Sequence, residues 1–271
     1  GAREGGLGQD HETAFDLYTR SADQSFPYAS FELGKMLRDG IGCVKNQPDA
    51  DRRFKEAFLG FVSLEEKGHD DKLQYRLGWM LLNGVGTDKD EARAKEYFDK
   101  AASVGNPFAC YQLAKLILSD EKAPPQDVEK ALGYLRKAVE AENPYAAYFL
   151  GKLYEKGQHV PQNIAEAIRL YTLSAGQDND FAAYRLGKLY LGGEGVLKDV
   201  ESAIRWLTFA ADRKNSFAEY TPRWFSPGIF KNLGSPAPLP TKTALYPSSI
   251  NSSIVIERPT ITFVSISTPN F

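Results

Sequence analysis

A short pattern recurs about every thirty-six residues along this chain, and that period restricts the fold more than any other property of the sequence. Leu-Gly appears at Leu33-Gly34, Leu77-Gly78, Leu150-Gly151 and Leu186-Gly187, with Leu113-Ala114 as a variant. A second signature, an alanine followed by aromatics and then a small pair, begins at Ala14, Ala50, Ala94, Ala131, Ala167 and Ala203, in steps of 36, 44, 37, 36 and 36. A unit of that size cannot bury its own apolar face, so neighbouring units must cover it, and the chain is expected to be a solenoid. Such arrays hold other molecules more readily than they convert them.

Residues 143–179 show what one unit contains. Asn143-Pro144 supplies a cap and a first-turn proline, which together start a helix. Ala146, Leu150, Leu153 and Tyr154 then fall on one helical stripe. Gly151 lies beside that stripe, where glycine costs about 1 kcal/mol of helix propensity against alanine. Close approach of another helix is the reason the position would tolerate that cost. Gly157 ends the helix, and Gln158 to Gln162 form a short loop. A second helix begins after Asn163, carries Ala167, Ile168, Tyr171, Ser174 and Ala175 on one side, and closes at Gly176.

The expected caps test this register independently. Four residues before each signature alanine stand Asp10, Asn46, Asp90, Asp127, Asn163 and Asp199. Seven before the Leu-Gly leucines stand Asp70, Asn106, Asn143 and Asn179, with Phe26 the exception and Asn215 continuing the column. Nearly all are strong N-cap types, as paired helices require. Gly40-Ile41-Gly42, Gly84-Val85-Gly86 and Gly193-Glu194-Gly195 occupy equivalent loops. Without a preceding strand or a following P-loop lysine and hydroxyl, they read as turns rather than phosphate cradles.

Lys and Arg total 33 against 35 Asp and Glu, a net charge of −2, which gives no electrostatic case for nucleic acid or an anionic membrane. No apolar run reaches the roughly twenty residues a membrane helix needs. Cys43 and Cys110 fall in different repeats, lack metal-ligand spacing and read as small apolar residues suited to a reducing compartment. His11, His69 and His159 stand in separate repeats without a partner at ligand spacing. Glu65-Glu66 and Asp70-Asp71 read as solvated surface with a cap. No catalytic or dinucleotide motif is present. The expectation is therefore no catalysis, no cofactor and no metal in this segment.

The segments YAAYFLGKLYEKG from Tyr145 and FAAYRLGKLYLGGEGVLKDVESAIRWLTFAA from Phe181 resemble the Sel1-like repeat family, a branch of the tetratricopeptide-like helical repeats. The resemblance covers Asp10 to Tyr220. It implies an all-α, right-handed superhelical solenoid of antiparallel helix pairs: five repeats after an orphan N-terminal helix. It also implies an adaptor or scaffold that binds a protein or peptide. Similar arrays form accessory regions of larger bacterial proteins, including relaxases of mobile elements, and self-association through exposed ends is a further possibility.

The domain reading is an irregular segment over 1–9, the repeat array over 10–220, and a Pro/Ser/Thr-rich tail over 221–271 holding eight of the fifteen prolines. Three readings of the tail stay open: a flexible linker with a docking motif, a small β-hairpin, or sequence out of frame after a lost repeat. The register opens on a second helix, so the array is expected to be a length cut from a longer one. Eight extra residues between Ala57 and Leu77 should lengthen one second helix by two turns, projecting from the array. The third unit replaces its glycine loop with Ser119 to Pro125, which should be stiffer.

First helices of such superhelices stack on the inner surface. Two residues before each Leu-Gly leucine lies a column of Phe31, Tyr75, Tyr111, Tyr148 and Tyr184. Two after it lies a column of Lys35, Trp79, Lys115, Lys152 and Lys188. Together they would form a groove of rings flanked by ammonium groups, able to seat acidic or carboxylate-bearing peptide. Packing against the next repeat and simple solubility are the competing reasons for those residues. Trp79, replacing a lysine beside the insertion, is the most individual candidate.

Overall fold

The computed structural model describes residues 4–120 and 122–213. The chain divides into two units, Gly1–Pro236 and Ala237–Phe271, and every described residue belongs to the first. The readings of 221–271 and the Asn215 cap lie outside the described residues.

Among the described residues there are eleven helices and no strand: α1 (Glu4–Ala22), α2 (Pro27–Asp39), α3 (Gln47–Lys67), α4 (Asp71–Asn83), α5 (Glu91–Ser103), α6 (Pro107–Leu118), α7 (Pro125–Glu140), α8 (Pro144–Lys156), α9 (Ile164–Ala175), α10 (Asp180–Gly192) and α11 (Val200–Asp212). They pack most closely as α2 with α3, α4 with α5, α6 with α7, α8 with α9 and α10 with α11, after the orphan α1. Each second helix then packs on the next first helix, so no unit is self-sufficient.

The signature residues build the pair interface. Ala50, Ala94, Ala131, Ala167 and Ala203 are completely buried, as are Leu77, Leu135 and Leu186. The Leu-Gly glycines mark where paired helices approach closest. A methyl group at Gly34 would stand 2.8 Å from the Phe54 ring, at Gly78 2.7 Å from Phe98, at Gly151 2.8 Å from Tyr171, and at Gly187 2.5 Å from Leu207. All four partners lie four residues after a signature alanine, so the glycine and the bulky residue are complementary halves of one contact.

Caps end one helix while starting the next. Asn46, Asp90, Asn163 and Asp199 accept from the backbone N–H three residues on, and their own N–H groups close onto Leu37, Leu81, Tyr154 and Tyr190 of the preceding helix. Asp70, Asn106, Asn143 and Asn179 cap the first helices in the same way. Phe26 begins α2 without a side-chain cap.

Two expected caps are not caps. α1 already starts at Glu4, so Asp10 is inside it and residues 4–9 are helical rather than irregular. No proline lies upstream to stop the helix, and an aspartate in an exposed interior position costs only about 0.5–0.7 kcal/mol of propensity. In α7 the Pro124-Pro125 pair begins the helix early, and Asp127 falls in the first turn, where its charge still suits the helix dipole.

The glycine loops are turns. Gly40, Gly84 and Gly193 adopt left-handed φ angles of 73°, 67° and 73° and close onto the helix they end. The second glycine of each loop has another duty, since a methyl at Gly42 or Gly86 would stand 2.2 Å from the carbonyl oxygen of His11 or Phe54 on the preceding second helix. At the equivalent place in the fourth pair stands His159, with φ 59°, whose Nε2 lies 3.2 Å from the Leu118 carbonyl oxygen.

Among the described residues α3 is the longest helix, at 21 residues, but its extension does not project. Phe61 is completely buried and meets Tyr28 edge-on at 4.9 Å. Glu65 is only 5 % exposed, so its reading as solvated surface is corrected. The extension lies along the starts of α2 and α4, and Gln74 Nε2 donates to Glu65 Oε1 at 2.8 Å while His69 Nδ1 stands 3.0 Å from the same oxygen.

Candidate functional site

The ring column is half-buried for a physical reason visible in its contacts. Phe31, Tyr75 and Tyr148 each bridge their own unit and the next, and Tyr111 reaches across to the next. Tyr75 packs on Phe98 at 5.9 Å and Phe108 at 5.7 Å, and Tyr148 on Tyr171 at 5.7 Å and Phe181 at 6.4 Å. Tyr111 stacks on Tyr145 at 6.1 Å and meets Phe149 edge-on at 6.2 Å. Burial pushes the phenols of Tyr75 and Tyr148 up, and that of Tyr111, amid Tyr145, Tyr75 and Tyr148, up to about 12. The lysine column stands over these rings: Lys35 over Phe31 at 6.0 Å, Lys115 over Tyr111 at 6.0 Å, and Lys152 over Tyr148 at 5.9 Å. Burial lowers the Lys152 ammonium, helped by Lys156, Arg185 and Lys115 nearby. Tyr184 is half-buried and Lys188 exposed at the far end of the two columns.

Four of the expected residues converge. Phe31, Lys35, Tyr75 and Trp79 line a hollow of about 680 Å³ between α2, α4 and the start of α6, together with Arg38, Phe54, Lys72, Arg76 and Phe108 among others. Phe31 is buried as its floor, edge-on to Phe54 at 5.6 Å. Trp79 is half-buried rather than solvent-facing, and meets Phe31 of the neighbouring pair edge-on at 6.4 Å. Tyr111, Lys115, Tyr148, Lys152, Tyr184 and Lys188 continue along later units and do not enter this hollow.

Arg76 is the residue that column reading missed. Its guanidinium carbon stands 5.3 Å from the Tyr28 ring, 4.8 Å from Phe31 and 5.5 Å from Phe61. The signal was present in the register: one residue before the Leu-Gly leucines runs Glu32, Arg76, Gln112, Phe149 and Arg185. A second missed column lies five before, as Tyr28, Lys72, Phe108, Tyr145 and Phe181. Its four rings are 43–53 % exposed, unusually open for large apolar groups in regular sequence.

The charges of the hollow are unequal in their commitments. Lys35 is paired with Glu32 at 2.7 Å and Arg38 with Asp39 at 2.8 Å. Asp71 accepts from Asn106 Nδ2 at 2.7 Å. Among the described residues, no carboxylate stands within ion-pair distance of Lys72 or Arg76. Among the described residues no group of three or more His, Cys, Asp or Glu side chains is arranged to hold a metal ion. No helix among them is long and apolar enough to cross a membrane.

The Sel1 repeat family model matches residues 1–26, 27–50, 72–106, 107–143, 144–179 and 180–215, most of the chain. The chain belongs to the Sel1 repeat family. The unmatched stretch, 51–71, holds most of the lengthened α3. The family is one of helical-repeat scaffolds for protein–protein interaction, generally without catalysis of their own. A Sel1 repeat protein from Oxalobacter formigenes has a similar structure, with a TM-score of 0.56 and 27% identity, covering 74% of this chain and 79% of that one. A protective antigen of uropathogenic Escherichia coli with an SLR fold aligns with a TM-score of 0.50 and 25% identity, over 83% of this chain and 45% of that one. An immunity protein of Pseudomonas aeruginosa shares the fold, with a TM-score of 0.51 and 21% identity over 77% of this chain and 79% of that one. The solenoid is thus the right-handed superhelix of the Sel1 repeats. Among curated proteins, the chitin synthase regulator SKT5 of Malassezia restricta is 29% identical over 111 residues, which is 41% of this chain and 7% of that protein.

Proposed function

We propose that this Sel1 repeat array is an adaptor that seats a protein or peptide partner along its inner surface, over α2, α4, α6, α8 and α10. The observation that carries the reading is the hollow of about 680 Å³ floored by Phe31 and walled by Tyr75 and Trp79. Large rings there offer contact area at low cost in conformational freedom, which is what interface anchors provide. The ring and lysine columns would extend the contact along the later repeats.

The experiment is selection of a random peptide library against the intact chain, followed by calorimetry on the enriched peptides. Trp79→Ala should weaken binding about tenfold, or 1.4 kcal/mol. Because Trp79 packs on one ring at the edge of the core, its melting temperature should shift by no more than about 4 °C. A larger fall in melting temperature would assign Trp79 to the core instead.

A second reading makes the array an accessory arm of a larger protein. It is favoured by the match to a short stretch of a chitin synthase regulator. Affinity capture with the intact gene product distinguishes the two, since an arm would return with its own catalytic or regulatory domain attached.

A further inference from the structure

The adaptor reading leaves open what chemistry the hollow selects, and the charges around it narrow that choice. Four cations, Lys35, Arg38, Lys72 and Arg76, border a floor of aromatic rings, against the single carboxylate of Asp71. Glu32 and Asp39, neighbours on α2, already engage Lys35 and Arg38, and Asn106 engages Asp71. Lys72 and Arg76 are left without a carboxylate among the described residues.

Arg76 is also held in place. Three rings, Tyr28, Phe31 and Phe61, surround its guanidinium carbon within 5.5 Å, and Phe61 belongs to the extra turns of α3. The insertion that departs from the family pattern therefore builds part of the box that fixes this cation. A guanidinium fixed by ring contacts has lost rotamer freedom before any ligand arrives, and its fork of N–H donors matches a carboxylate in two-point geometry. Rings on the floor exclude water and lower the local dielectric, which strengthens attraction between a fixed cation and an entering anion.

We propose that the hollow is a recognition site for a partner peptide segment that carries a side-chain carboxylate next to a large apolar residue. The carboxylate meets Arg76 and Lys72, and the apolar side chain fills the space between Phe31, Tyr75 and Trp79. This inference rests on the adaptor reading and adds the sign of the charge that the partner must bring.

The test is a phage-displayed random 12-residue library selected on the intact chain, on Lys72→Glu, on Arg76→Glu and on Lys198→Glu, an exposed control outside both columns, in the loop between α10 and α11. The wild-type chain should enrich peptides with Asp or Glu beside Phe, Trp, Tyr or Leu. Synthetic copies of the enriched peptides should lose about tenfold in affinity when Asp or Glu is replaced by Asn or Gln, and about the same on Lys72→Glu or Arg76→Glu. Lys198→Glu should change affinity by less than about twofold, as expected of a distant exposed charge. Lys72 is exposed, so Lys72→Glu carries the test even if Arg76→Glu disturbs folding. Enriched peptides with no acidic preference, or with unchanged affinity for both variants, would overturn the proposal. If such peptides still depend on Trp79 or Tyr148, the adaptor reading stands without it. Enrichment of no peptide at all overturns both.

Discussion

Arg76 and Arg185 occupy the same place in two repeats, one residue before the Leu-Gly leucine, yet the molecule uses them in opposite ways. Arg185 is consumed internally. Its Nε donates to Glu155 Oε2 at 3.2 Å, its Nη2 donates to Oε1 of the same carboxylate, and the Tyr171 hydroxyl donates to Glu155 Oε2 at 2.5 Å. Burial, then that carboxylate, push the Tyr171 phenol far up. Arg76 instead rests on rings and meets no carboxylate among the described residues. Five residues after the Leu-Gly leucine of the preceding pair, Glu155 supplies the anion to Arg185, whereas the same place in the pair before Arg76 holds the cation Arg38. In one place a polar network closes between two successive repeats, and in the other a ring-packed cation faces a hollow. One register position can therefore hold an internally paired arginine in one unit and a ring-packed arginine without a carboxylate in another.

What the two regions share should respond alike. Leu77 and Leu150 hold the same buried position, so Leu77→Ala and Leu150→Ala should each cost about 2–5 kcal/mol in chemical denaturation. A small loss at only one of them would show that the units do not share a common core. Where the regions differ, the effects should diverge. Glu155→Ala removes the partner of a half-buried arginine and of the Tyr171 hydroxyl, and should destabilise by about 1–3 kcal/mol. Arg76→Ala gives up only ring contacts and should cost about 1 kcal/mol. Equal losses in the two variants would mean that Arg76 has a structural anion after all.

The smallest effect concerns Tyr111 on α6, which lies between the two regions. Its folded-state phenol is raised from about 10 to about 12. The unfolded chain therefore gives up this proton first as pH rises, and the folded state binds more protons across that interval. Stability from this group is full below pH 10 and is lost as pH climbs toward 12. Tyr111→Phe should flatten that alkaline loss in thermal melts across the same window, and ultraviolet titration of tyrosinate should show one phenol fewer ionising late.

Much of the solenoid is legible in the sequence. Helix stripes, caps and left-handed glycines depend on residues three or four apart, so they are written locally. The exceptions are instructive. Asp10 and Asp127 have the chemistry of caps, but a helix starts where its upstream residues allow, and α1 and α7 both begin earlier. The two tyrosine and lysine columns were legible from register arithmetic. The converging hollow was not, because it takes side chains from three helices whose separation in sequence is large.

The sequence by itself determined the period, the five helix pairs after an orphan helix, the close-approach glycines and the family. Those features follow from spacing within a unit and from repetition, which no tertiary detail can undo. Only the tertiary structure decided that the extra turns of α3 pack along the neighbouring helices and bury Glu65, that Phe61 completes a ring box around Arg76, and that Trp79 leans on Phe31. Burial and charge pairing are set by which face a neighbour covers, and a linear register names the faces without saying which of them will be met.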